Sequence, residues 1–320
     1  GVAIQIKPTA AFEGAAVGIA HLWWLWRSGA RGGVIPAAAL WTAIGLSPTL
    51  AVALAYARMG AFDAWWFANV TSILLRPPYP PDQLAMRLLG IVAILSPLIL
   101  CAAIAWRRRR IRLADERALA FVWLGAALVA FCAIGTFFDH YALPLIAPLA
   151  VLSAITFGWR PRAMVGALGL GLLIFIVSRA FLPDDRAGAR AVARVVAAND
   201  RGECPYVFIG DTATYSLAGA CVPTAYAFPN FLAYTTEQGA TGIDEAAEVR
   251  RILARRPPVI VSSTRRLAIW NRASLAALKG ALASNYRPVF SAPRAGYRTI
   301  VYLRVDLTFR NGAVSYAGPD

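Results

Sequence analysis

The chain has 320 residues, of which 58% are hydrophobic and only 15% charged, with a net charge of +15. A charged fraction so far below the quarter typical of soluble domains excludes an ordinary soluble globular protein, and the length allows two domains. The placement of the basic residues is informative too. Arg27 and Arg31, Arg107 to Arg110 with Arg112, and Arg160 with Arg162 sit in short connections between apolar runs. Lys and Arg in such connections set membrane topology; anionic-lipid binding is the second reading, and nucleic acid is not expected as a partner.

In chain order, six apolar spans are expected, at about Gly1–Trp26, Val34–Ala57, Leu88–Trp106, Ala118–Phe138, Tyr141–Phe157 and Ala163–Phe181. Each is near the ~20 residues that cross a ~30 Å hydrocarbon layer as a helix. Gly1 already lies in an apolar run, with no basic segment and cleavage site before it, so the start is not a signal peptide. It reads as the C-terminal portion of a longer protein. If the three basic clusters are cytoplasmic, the stretches Arg58–Arg87 and Phe138–Tyr141, and everything after Phe181, fall on the opposite side.

The long connection from Arg58 to Arg87 carries Trp65, Trp66 and Phe67, then RPPYPPDQ. Its aromatic residues predict a helix along the membrane surface, and its prolines a stiff return into the bilayer. A plain interfacial re-entry and a lid over a lipid-substrate groove both fit. GALGLG, Gly166 to Gly171, lies inside the last apolar span, where small residues serve close helix packing rather than nucleotide binding.

After Pro183 the pattern becomes polar and mixed. Helical periodicity over Arg186–Ala198 precedes a buried strand, PYVFIG, and a short helix near Ala213–Ala218. An amphipathic helix over Glu245–Arg256 leads into the strand VIVSS, a helix over Arg272–Ser284 follows, and YRPVFSA and YRTIVYLRV form a closing pair of strands. The fold class is therefore a polytopic α-helical membrane domain, residues 1–182, followed by a small α/β extracytoplasmic domain, residues 183–320, with a partly parallel sheet. Cys101 and Cys132 read as packing residues within spans. Cys204 and Cys221 lie in the outer domain, where a disulfide is chemically permitted; spacing alone does not show whether they meet.

Ionisable groups in or near lipid are costly, so each is a candidate for function. Lys7 lies 20 residues before Arg27, about one membrane thickness, which puts it at the outer edge; simple snorkelling is the competing reading. Glu13 is deeper, an intramembrane polar site that pairs with a base on another helix or contacts substrate. Asp139, His140 and Tyr141, in the stretch FFDHYALPLIAPL, share the level of Lys7, as do Arg58, Asp63, Arg76, Asp82 and Arg87. Such a ring suits an anionic headgroup such as a lipid phosphate, and ordinary loop decoration is the bland alternative. His21 and His140 fall on opposite faces with no cysteine nearby, so no metal site is expected.

Three features resemble the C-terminal half of a GT-C-type membrane glycosyltransferase, in the group of protein O-mannosyltransferases and the lipid A aminoarabinose transferase. They are Lys7 in AIQIKPTAAFEG, the aromatic/basic-Tyr-x-x-Pro pattern of FDHYALPLIAPLAVL, and a tail with TYSLAG, RRPPVIVSS, SNYRPVF and a Tyr-rich last strand. The resemblance implies transfer of a sugar from a polyprenyl-phosphate donor to a glycan, lipid or protein acceptor, on the outer face of a bacterial inner membrane, with inversion and without a cofactor. It also implies that Lys7, His140 and Tyr141 face the lipid phosphate; Arg76 is added from its level alone. Asp139 is the one candidate for a base, or it orients His140. The family's acidic residue lies in a first outer loop that no segment here matches. The alternatives are a non-catalytic partner in envelope polysaccharide assembly, binding glycan or lipid carrier, and a lipid-carrier transporter. Tyr226, Phe228, Phe231 and Tyr234 serve either sugar stacking or a core.

Overall fold

The computed structural model describes residues 1–107, 114–181, 184–265, 269–294 and 296–312. Arg108 to Arg110, Arg112 and Pro183, used above as a topology signal and a domain boundary, lie outside the described residues. The chain divides into two compact units. The first comprises Gly1–Trp66 and Pro78–Ala180; the second comprises Phe67–Pro77 and Phe181–Asp320. The division thus falls close to the expected boundary, but the second unit also takes a short piece from the long aromatic connection.

The first unit is helical: α1 (Val2–Ile6), α2 (Ala10–Arg27), α3 (Val34–Arg58), α4 (Phe62–Trp66), α6 (Pro81–Arg107), α7 (Ala114–Ile134), α8 (Leu143–Trp159) and α9 (Pro161–Ala180). A short helix, α5 (Ser72–Leu74), follows a π-helical turn, Phe67–Thr71, in the second unit. Five helical stretches are long and apolar enough to cross a membrane: Arg31–Arg58, Pro81–Arg107, Arg117–Ile134, Asp139–Trp159 and Pro161–Ala180. The expected first span is not among them. Pro8 lacks an amide hydrogen and cannot continue the helix begun at Val2, so the chain breaks at Lys7, whose backbone is extended. The remaining helix, α2, has 18 residues and carries Glu13, His21 and Arg27.

Two internal prolines are accommodated in the same way. Pro97 in α6 frees the carbonyl of Ala93, four residues earlier, and the Ser96 hydroxyl donates to that oxygen at 2.7 Å. In α3, Pro48 frees the carbonyl of Ile44, and Ser47 donates to it at 3.5 Å, a longer contact. The packed heart of the unit lies among α6, α7 and α8, around Ile91, Leu95, Phe131, Leu145, Leu149 and Leu152. Buried Ser153 and Thr156 of α8 donate to the Leu98 and Cys101 carbonyls of α6, at 3.1 and 2.7 Å. Both hydroxyls are thereby satisfied away from water, which fixes the register of the two helices. GALGLG is continuous helix within α9.

In the second unit, β1 (Tyr206–Val207), β2 (Val259–Ser263), β3 (Tyr286–Arg294) and β4 (Tyr297–Arg304) form a sheet in the order β1-β2-β4-β3. β1 and β2 are parallel and the remaining pairs antiparallel. β3 occupies an edge, where Pro288 and Pro293 are tolerated because one side of the strand has no ladder that needs an amide donor. Both faces of the sheet are covered. Val207, Val259, Val261, Val301 and Leu303 pack with Val192, Val195 and Val196 of α10 (Arg186–Asn199). The alternate residues Tyr206, Phe208 and Ile260 pack with Val249 and Ile252 of α13 (Glu245–Ala254) and Leu278 of α14 (Arg272–Asn285). The period-2 alternation sends successive side chains to opposite layers. The short helices α11 (Ala213–Ala218) and α12 (Pro229–Leu232) complete the unit. Cys204 and Cys221 are joined by a disulfide, with Cα atoms 4.9 Å apart.

Candidate functional site

The polar step between α7 and α8 is built by backbone geometry. Gly135 and Phe137 take left-handed φ values of 69° and 48°, which turn the chain sharply after α7. Phe137 holds this unfavourable conformation with its ring 5.0 Å from Phe131 of α7. A 3-10 turn, Asp139–Ala142, then leads into α8, with Pro144 in its first turn, where a missing amide hydrogen costs nothing.

This turn gathers aromatic rings and cations. The His140 ring lies 4.3 Å from that of Tyr141 and stacks with Phe138 at 5.8 Å. The Lys7 ammonium sits 5.0 Å above the Tyr141 ring, within cation–π range. Arg87 of α6 has its guanidinium 4.3 Å from the Tyr79 ring centre and 4.0 Å from that of Phe138. It also donates to the Thr136 carbonyl at 2.6 Å. Arg87 is thus held on two rings and one carbonyl, whereas His140 and Asp139 are exposed. Lys7 precedes α2, His140 precedes α8, and Arg87 lies near the start of α6. Two side-chain cations, Lys7 and Arg87, thus lie against aromatic rings of this turn.

Glu13, deeper along α2, accepts a hydrogen bond from the Trp123 indole of α7 at 2.7 Å. The hydrogen-bond donor here is neutral. About two turns further on, His21 Nδ1 accepts from the Trp41 indole of α3 at 3.0 Å. Glu13 and Trp123 line a groove of about 790 Å3 formed mainly by α1, α2 and α3, with Gly14, Gly18, Trp41 and Ile44 along it. Glu13 is the only ionisable side chain lining this groove among the described residues.

The structure brings Lys7, His140 and Tyr141 together, with Asp139 in the same turn. Arg76 belongs to the second unit, where its Nε lies 2.9 Å from Glu237 Oε2 as an ion pair rather than an aligned hydrogen bond. Burial holds the Glu237 carboxyl above its ordinary range, and Arg76 opposes that shift. The guanidinium that joins the aromatic cluster is Arg87, one of several groups at the same expected level; the aromatic residues Tyr79 and Phe138 on either side of it were the signal that could have singled it out. Of the aromatic residues near position 230, Tyr226 and Phe231 meet edge to face and pack on the core with Tyr234, while Phe228 remains exposed.

Among the described residues, no group of three or more His, Cys, Asp or Glu side chains is placed to hold a metal ion. Chemically, the cluster offers an ammonium, an imidazole and a phenol around an exposed carboxylate. It can bind an oxyanion and orient a nearby hydroxyl. Comparison with protein-family models, curated proteins and solved structures finds no match to this chain.

Proposed function

We propose that the chain belongs to an inverting membrane glycosyltransferase of the GT-C type, acting in a bacterial inner membrane with its second unit extracytoplasmic. The observation that carries this reading is the convergence of Lys7 and His140 on the Tyr141 ring at one turn. A polyprenyl-phosphate sugar presents a phosphate at the membrane surface and a long apolar tail. The cationic turn suits the phosphate, and the groove beside α2 suits the prenyl chain.

In the proposed reaction an acceptor hydroxyl oxygen forms a bond to the anomeric carbon as the bond from that carbon to the phosphate oxygen breaks. The electron pair leaves with the lipid phosphate, whose growing charge Lys7 and the His140 ring stabilise. The acceptor's proton passes to a carboxylate. Asp139 is the exposed carboxylate of the turn and the candidate for that role, or for orienting His140. Glu13, bonded to an indole, is a groove residue in this scheme.

The experiment is sugar transfer from a synthetic polyprenyl-phosphate sugar by the full-length protein, comparing Lys7→Ala and His140→Ala with the parent. Loss of a leaving-group contact is expected to cut kcat by about 100-fold. Unchanged rates in both variants would remove this site from the reaction.

A further inference from the structure

We infer that the second unit carries a separate binding site for a neutral monosaccharide unit, in the cavity at the C-terminal ends of β1 and β2. In sheets with parallel strands the crevice beyond the carboxyl ends is where loops diverge and ligands bind. Here the chain leaving β1 supplies Asp211, and the chain leaving β2 supplies Arg265. Arg294, from the end of β3, and Tyr297 and Thr299, from β4, close the other side, with Tyr234 completing a cavity of about 240 Å3.

The charges in this cavity nearly balance. Arg294 is mostly buried; it bonds Asp185 and lies 3.8 Å from Asp211 Oδ2. Arg265 is exposed, with its guanidinium 5.4 Å from the Tyr297 ring centre. Arg265, Arg294 and Asp211 line the cavity, and Asp185, outside the lining, offsets the second guanidinium through its bond to Arg294. A bare anion gains little from such a set, and neither does a cation. A polyhydroxylated neutral ligand does gain, because each hydroxyl both donates and accepts, and the wall offers fixed donors, a fixed carboxylate acceptor and phenols that do both. The volume admits one sugar ring. This site lies wholly within the second unit and does not rest on the transferase reading.

The test uses the full chain in detergent and saturation-transfer NMR with glucose, galactose, mannose, glucuronate and inorganic phosphate as probes. A neutral hexose is expected to bind with a dissociation constant on the order of 1 mM. Asp211→Asn retains an acceptor for the Ala213 amide that Asp211 caps at 3.0 Å, so the loop keeps its turn. This variant should weaken hexose binding about tenfold, and Tyr297→Phe about threefold. Absence of transfer to every neutral sugar, preference for glucuronate or phosphate, or hexose binding untouched by both substitutions would each overturn the proposal. Loss of sugar transfer by Lys7→Ala with hexose binding intact would leave it standing.

Discussion

Arg76 and Glu237 form an ion pair, 2.9 Å from Nε to Oε2, that fastens the Phe67–Pro77 segment within the second unit. Burial outweighs the attraction of Arg76 and leaves the Glu237 carboxyl with a raised pKa. A carboxyl shifted in this direction contributes stability that is complete below its unfolded value, near 4.5, and lost as pH rises through the folded value. Glu237→Gln should therefore flatten the pH dependence and leave stability at pH 7 unchanged or slightly higher. Arg76→Ala should lower it by about 1 kcal/mol, because a half-buried carboxylate then lacks its partner. Thermal unfolding of both variants between pH 4 and 8 measures the asymmetry; equal losses at pH 7 would contradict it.

The bond from Trp123 to Glu13 links α7 to α2 across an apolar groove. Glu13→Gln keeps an acceptor, while Trp123→Phe removes the donor. The double-mutant cycle should show a coupling of about 1 kcal/mol in detergent, the usual range for polar pairs between membrane helices. Additive losses would show that the pair contributes no interaction of its own.

The Tyr141 ring holds the Lys7 ammonium by its face. On the proposed reading, Tyr141→Phe preserves that contact and should change the KM for donor by about twofold or less. Tyr141→Leu removes it and should raise KM about fivefold. Similar KM values for the two variants would place the contribution of Tyr141 elsewhere than its ring.

Closing the Cys204–Cys221 disulfide spans a sequence separation of 17 residues. A loop of this size restricts the unfolded chain by about 3 kcal/mol. Reductant, or the double Cys→Ser variant, should lower the unfolding temperature of the second unit by several degrees and leave the first unit's transition in place. An unchanged transition would mean that the loop ends are held together without the bond.

Much of this architecture was legible because its causes are local. Apolar runs of helix-spanning length marked the spans after Val34, and alternating valines with Pro–Pro stops marked β2 and its flanking helix. The first span was misjudged even though Pro8 stood in plain view beside Lys7, because mean hydropathy ignores a missing amide hydrogen. Lys7, His140 and Tyr141 could be grouped by their shared level in the bilayer. Arg76 satisfied the same test, and its pairing with Glu237 was invisible because the partner lies far along the chain.

The Phe67 ring occupies the space beside Gly242, within 2.8 Å of where a Cβ would stand, and Gly242 also holds a φ of 75°. The second unit is therefore a discontinuous domain, its two pieces interrupted in sequence by Pro78–Ala180. No single proteolytic cut can excise it whole, and a fragment cloned from Phe181 onward would present a bare socket at Gly242 and an unpaired Glu237. During synthesis, Phe67 and Arg76 emerge long before the residues that receive them. Such distant pairing is slow to form, so the 67–77 segment has to wait unseated until the chain near residue 240 has been made.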